Sequence, residues 1–160
     1  MTDLSHLFST MTLHQPDEDW YVDSGATTHT ASHSGTLSHV TPCYNSSSII
    51  VGNGDTIPVH STGHYTFHAP LRNLELHNIL VSPRIVKNLV SIRKFTRDNN
   101  CSVEFDPYGF CVKDLRSGIS LLRCDSDGDL YPISTSTPSS PTSLIPVSYT
   151  HLTLPTNREV

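Results

Sequence analysis

The chain has 160 residues, about one domain, with 36% hydrophobic and 16% charged residues and a net charge of −5 with histidine neutral. That balance favours a strand-rich domain with polar loops over a helical bundle, and it excludes an overall basic surface for nucleic acid or acidic lipid. No run of 18 apolar residues is present, so no membrane span is expected; Cys43, Cys101, Cys111 and Cys124 form no close CxxC pair and read as reduced, mostly core thiols.

Residues 1–18 are polar and unpatterned and read as a flexible leader, with neither the basic nor the apolar region of a signal peptide. The run Trp20-Tyr21-Val22-Asp23 is the first strand, its aromatic and β-branched residues suited to a pleated, buried surface. Asp23-Ser24-Gly25 then breaks it with turn residues. Residues 27–45 read as a loop with one short element near Leu37–Val40. A hairpin follows. Residues 48–51 are β-branched, Gly52-Asn53-Gly54-Asp55 supplies the turn, and residues 56–59 run back, with Pro58 marking a sheet edge. Residues 63–69 alternate, with Tyr65 and Phe67 on one face and His64, Thr66 and His68 on the other.

Residues 74–81 suggest another strand that ends before Pro83. Leu89, Ile92 and Phe95 fall at helical spacing behind Asn88, which predicts one helix over 89–95 with Asn88 as its N-cap. Short strands are expected at 102–105, 109–113, 119–123 and 130–133, with turns at Asp106-Pro107-Tyr108-Gly109, Arg116-Ser117-Gly118 and Asp127-Gly128-Asp129. Phe67, Phe95, Phe105 and Phe110 read as core. From Ser134 the chain turns rich in Ser, Thr and Pro, a tail that cannot bury enough to fold, and its last stretch, residues 147–160, reads as foreign adaptor sequence. The expected organisation is therefore a leader over 1–18, a domain over 19–133 and a disordered tail over 134–160. The fold class is all-β, a small barrel or sandwich with one short helix.

Asp23 is the candidate for chemistry, because a strand delivers its carboxylate onto a tight loop. Gly25 lets the backbone turn closely and Ala26 leaves room for a neighbouring loop. A carboxylate activates water well only beside a second one, since two carboxyls in contact cannot both be charged and the pair then holds one acid and one base. The chain has one Asp-Ser-Gly triplet, and Asp125-Ser126-Asp127-Gly128 is a turn rather than a second copy. The second acid must come from another chain, which a two-fold homodimer supplies.

Residues 20–29 (WYVDSGATTH) resemble the protease start of Copia-type LTR retrotransposon Gag-Pol polyproteins, particularly plant ones. The match continues through Ile50-Val51-Gly52-Asn53-Gly54, residues 76–83 (LHNILVSP), residues 87–92 (KNLVSI), residues 95–100, Val112-Lys113-Asp114 and Gly128-Asp129-Leu130-Tyr131. The resemblance implies a closed β-barrel of retropepsin-like type, active as a homodimer that cuts its own Gag-Pol polyprotein. Asp23, Ser24 and Gly25 would form the catalytic loop, and Gly52, Asn53 and Gly54 the flap that closes over substrate. No cofactor is implied, nor any direct nucleic-acid or membrane partner, and the setting would be cytoplasmic, in a virus-like particle. Lys87 departs from the pattern, standing where a glycine is expected.

Two readings compete with catalysis. His29, His33, His39 and Cys43 can be drawn as a zinc set, and His60, His64 and His68 as one face, but neither spacing matches a compact zinc motif, and rim histidine is the plainer reading. The alternative function is a non-catalytic relic or interaction module of the same fold, suggested by Lys87 and by the polyprotein context.

Overall fold

The computed structural model describes residues 18–45 and 47–135. The expected leader, apart from Glu18, and the expected tail, apart from Ser134 and Thr135, lie outside them, as does the stretch 147–160.

Twelve strands and one helix are present among the described residues: β1 (Trp20–Asp23), β2 (Thr30–Ala31), β3 (Ser38–Pro42), β4 (Ser48–Ile50), β5 (Thr56–Pro58), β6 (Ser61–His68), β7 (Asn73–Val81), β8 (Asn88–Ser91), α1 (Ile92–Asn99), β9 (Cys101–Asp106), β10 (Gly109–Asp114), β11 (Ser120–Asp125) and β12 (Pro132–Ile133). The mostly-β architecture with one short helix follows the expectation. The closed barrel does not: seven strands form a sheet in the order β12-β1-β8-β2-β7-β6-β3, and among the described residues β3 and β12 are its edges. β12 is two residues long, and β3 is exposed throughout and slips register against β6 between Ser38 and Thr41. β9, β10 and β11 form a separate antiparallel sheet, and β4 and β5 a hairpin of their own.

β1 lies inside the large sheet, parallel to β8 and antiparallel to β12, with Asp23 opposite Ser91. Trp20 is buried and meets Tyr65 and Phe67 at ring-centroid distances of 5.2 and 6.3 Å, so the predicted apolar face of β6 covers the root of β1. Leu74, Leu76, Ile79, Val90, Phe95, Phe110 and Val112 are fully or almost fully buried and join both larger sheets and α1 in one core. Phe105 is a correction, about half exposed at the rim, where it meets Phe110 and Tyr131. Of the cysteines, all free thiols, Cys101 and Cys124 are buried and Cys43 and Cys111 half-buried; burial pushes the Cys101 thiol up to about 11.

The helix starts later than its spacing suggests. Residues 88–91 are strand, because their backbone pairs with β1, and Ser91 rather than Asn88 is the N-cap, its side chain accepting from Lys94 N–H. Asn88 is instead buried, its Oδ1 accepting from Ser32 N–H at 3.0 Å.

α1 also protects an edge. β2 pairs with β7 only at Leu80 and Val81, which leaves the rest of that side of β7 without a strand. Asn99 covers it: Oδ1 accepts Glu75 N–H at 2.7 Å, and Nδ2 donates to Glu75 O at 2.8 Å and Phe95 O at 3.0 Å. Lys94 Nζ donates to His77 O at 2.7 Å two residues along. Replacing Asn99 by alanine orphans both Glu75 backbone groups and is expected to cost about 2–3 kcal/mol. Urea unfolding of the two proteins measures it, and a loss under about 0.5 kcal/mol would mean that water replaces the clamp.

Candidate active site

β1 ends at Asp23 because the next residues no longer favour a strand and the Asp23 carboxylate folds back on them. Its Oδ1 accepts the Gly25 N–H at 2.8 Å, a turn closed by the side chain itself. A Cβ on residue 25 would sit 3.3 Å from that oxygen, tighter than ordinary contact, so glycine is what lets the loop close this tightly. Asp23 is half-buried, and Ser24 and Gly25 are exposed.

A cleft of about 530 Å³ opens over this loop. Asp23, Gly25, Ala26 and Thr27 line it on one side, Ile49, Ile50, Val51 and Gly52 of the hairpin on the other, and Ile85 and Leu89 close one wall. The loop and the hairpin that the sequence analysis singled out therefore face the same space, although some 25 residues separate them in the chain. Gly52 reaches the cleft. Asn53 and Gly54 do not line it and form an exposed crown instead. The crown is locked by its own polar groups. Asn53 Nδ2 donates to Asp55 Oδ2 at 2.7 Å, Asp55 N–H returns to Asn53 Oδ1, and Gly54, at φ +88°, donates to Val51 O at 2.8 Å.

The feet of the hairpin are fastened too. Val59 is buried and donates to Ser47 O, His60 N–H bonds Val81 O, and Cys43 N–H bonds His60 O, all at 2.9 Å. The hairpin therefore has a fastened base and a polar, exposed crown.

Ser24 lies apart from the cleft. It lines a second pocket of about 330 Å³, beside Gly25, Ala26 and Thr27 and the basic side of α1: Arg93, Lys94 and Arg97. The Asp23 loop thus has an apolar side that faces the hairpin and a cationic side. Lys87 enters neither pocket. Its ammonium sits 4.6 Å from the centre of the Tyr21 ring, and its backbone is not in the left-handed region, so the fold makes no demand for glycine there.

The histidines are rearranged relative to both drawn sets. Among the described residues no three His, Cys, Asp or Glu side chains gather as a metal site. His39, His64 and His77 meet edge to face instead, with ring centroids 5.9 Å apart for His39–His64 and 5.4 Å for His64–His77, and His64 and His77 Nδ1 3.3 Å apart. Burial and the neighbouring His77 hold His64 below the usual imidazole value.

His29 is not a rim residue. It is completely buried, Nδ1 accepts Ser91 N–H at 3.1 Å, and burial, with a smaller contribution from Lys94, pushes its value down to about 4. Its polar neighbours in sequence (Thr27, Thr28, Thr30) hid that burial. No local pattern in the sequence marked it, because the strand that follows it is only two residues long.

The profile of a family described as "Pol polyprotein, beta-barrel domain" matches residues 20–101, which is half of the chain. Two curated relatives come from Arabidopsis thaliana. The retrovirus-related Pol polyprotein from transposon RE1 is 42% identical over 124 residues, and that from transposon RE2 is 38% identical over 120. The matches cover 76% and 74% of this chain and 8% of each relative, so the chain spans a small part of the polyproteins it resembles. No solved structure matches it.

Proposed function

From the premise that the chain belongs to the Pol polyprotein β-barrel domain family, we propose that it is the aspartic endopeptidase domain of a Copia-type retrotransposon Gag-Pol polyprotein. The observation that carries the reading is Asp23, held on a strand-to-loop turn by Gly25 N–H and facing the hairpin across a peptide-sized cleft.

Asp23 is the only carboxylate that lines this cleft among the described residues. The acid–base pair then forms between two copies, loop against loop on a two-fold axis. One Asp23 takes a proton from water while the other donates to the peptide carbonyl. Ser24 and Gly25 shape the loop; Gly52 with Asn53 and Gly54 crowns the lid that excludes bulk water. The substrate is the polyprotein itself, the working protein is a homodimer, and its place is the cytoplasm, within a virus-like particle. The folded unit spans 19–133, with 1–18 as leader and 134–160 as tail. It needs no cofactor or metal, and it makes no direct contact with nucleic acid or membrane.

The pair is shared, so the rate per chain must depend on chain concentration. Cleavage of an unstructured Gag-type polypeptide is expected to show a specific activity that rises in proportion to concentration until dimers saturate. A specific activity independent of concentration down to nanomolar protein, with a monomer in sedimentation, would overturn the shared pair. No cleavage at any concentration would leave the second reading, a non-catalytic module of the same fold. The observation that favours that reading is the lone carboxylate in the cleft of one chain.

A further inference from the structure

We infer that His29 is a positioning residue for the Asp23 loop, that it works only as the neutral Nε2–H tautomer, and that its protonation releases the loop. The inference rests on the endopeptidase reading and adds a regulation to it: an acid limit on the same site.

The argument starts from one hydrogen bond. Ser91 N–H can only donate, so the Nδ1 that receives it at 3.1 Å carries no proton. The ring proton then sits on Nε2, which is buried and has no protein partner. Ser91 is a junction. It stands opposite Asp23 in the β1–β8 register, and its side chain caps α1 through Lys94 N–H. The His29 main chain is engaged as well, its carbonyl accepting Leu80 N–H at 2.9 Å. One imidazole therefore ties the far end of the 24–29 loop to the residue that stands opposite Asp23 in the sheet.

A second ring proton breaks this arrangement. It sets N–H against N–H at hydrogen-bond distance and places a cation in a site with no exposure to water. The ionisable groups around the ring do not welcome it. Lys94 on α1 and His77 on β7 oppose the charge, and Asp98 on α1 alone favours it.

The pH window follows from linkage. Above 6.5, the ordinary value, folded and unfolded chains are both neutral at this ring and nothing is lost. Below 6.5 the unfolded chain takes the proton first, and stability falls with pH until the folded ring also protonates near 4. Over that interval the unfolding constant should rise by up to about 300-fold from this one residue.

The test compares wild-type protein with His29→Gln, whose amide oxygen can accept Ser91 N–H without titrating, and with His29→Leu, which cannot accept it. Urea unfolding between pH 7 and pH 4 should show the wild type losing stability by up to about 300-fold relative to His29→Gln. His29→Leu should be weaker than His29→Gln at every pH. Cleavage by wild type should fail at higher pH on the acid side than cleavage by His29→Gln, through kcat rather than KM. Nitrogen NMR of the wild-type ring should show the Nε2–H tautomer at pH 7 and no titration near 6.5, and it decides the matter even where both variants fail to fold. An Nδ1–H tautomer, an ordinary titration, or parallel stability curves for wild type and His29→Gln would overturn the inference. Absence of cleavage in all three proteins would refute the endopeptidase reading alone, since the NMR and unfolding results do not depend on it.

Discussion

On the proposed endopeptidase reading, Asp23→Asn is expected to lower peptide cleavage by at least about 10³-fold while leaving the fold and any dimer in place. Asparagine is nearly isosteric with aspartate, and its Oδ1 can keep accepting Gly25 N–H, the one hydrogen bond that shapes the loop. Asp23 is half-buried and outside the packed core, so stability should stay within about 0.5 kcal/mol of wild type. What disappears is the ability to take a proton from water, and in a homodimer it disappears from both halves at once. Each tenfold loss corresponds to about 1.4 kcal/mol of barrier, so the substitution raises the barrier by about 4 kcal/mol or more.

Mixing sharpens the experiment. If each dimer needs two intact copies, an equal mixture of wild-type and Asp23→Asn chains at dimer-saturating concentration retains about one quarter of the activity of the same total wild-type protein. Retention of one half would mean that each chain works alone. Cleavage that survives the substitution in pure form would remove Asp23 from the chemistry.

The parts of this site that were legible in the sequence are those written in local residue chemistry. The hairpin was readable because β-branched runs flank a Gly-Asn-Gly-Asp turn, and its strands fall at 48–50 and 56–58, within a residue of expectation. The Asp23 turn was readable from its own three residues. The elements that escaped are those whose character comes from distant partners. β8 was taken into the helix because Leu89, Ile92 and Phe95 share a helical spacing. The backbone of residues 88–91 answers instead to β1, some 68 residues earlier in the chain. β2 is two residues in a polar run, too short to alternate, and exists only because β7 and β8 hold it between them. His29 is its neighbour and shared the concealment. Open sheet edges were hidden for the same reason, since closure depends on whether two terminal strands reach each other and not on what either strand contains.

The second large effect lies away from the cleft. Gly109→Ala is expected to destabilise the protein by about 3–5 kcal/mol, lowering Tm by about 10–20 °C. Gly109 opens β10 at φ +149°, between Asp106 of β9 and Asp125 of β11. A Cβ there would meet the Cys124 carbonyl oxygen at 2.1 Å and the Asp125 Cα at 2.9 Å. Both are backbone atoms in a paired strand, so no side-chain rotation relieves the clash. Either β11 moves away or the start of β10 does. The next residue is Phe110, wholly buried opposite Cys124, and its ring packs against Phe105 and Tyr131. Tyr131 in turn accepts Val22 N–H at 3.0 Å through its carbonyl, beside Asp23. Displacement at Gly109 therefore reaches the strand that carries the carboxylate, and cleavage should fall with the folded fraction rather than through a changed pH profile. Gly128→Ala is the control, since an added Cβ there meets nothing within 4 Å and its φ is not positive, so its stability should match wild type within about 0.5 kcal/mol. Thermal unfolding of the three proteins decides it. Equal Tm values for Gly109→Ala and Gly128→Ala would show that β10 and β11 part at no cost, and that the small sheet does not brace β1.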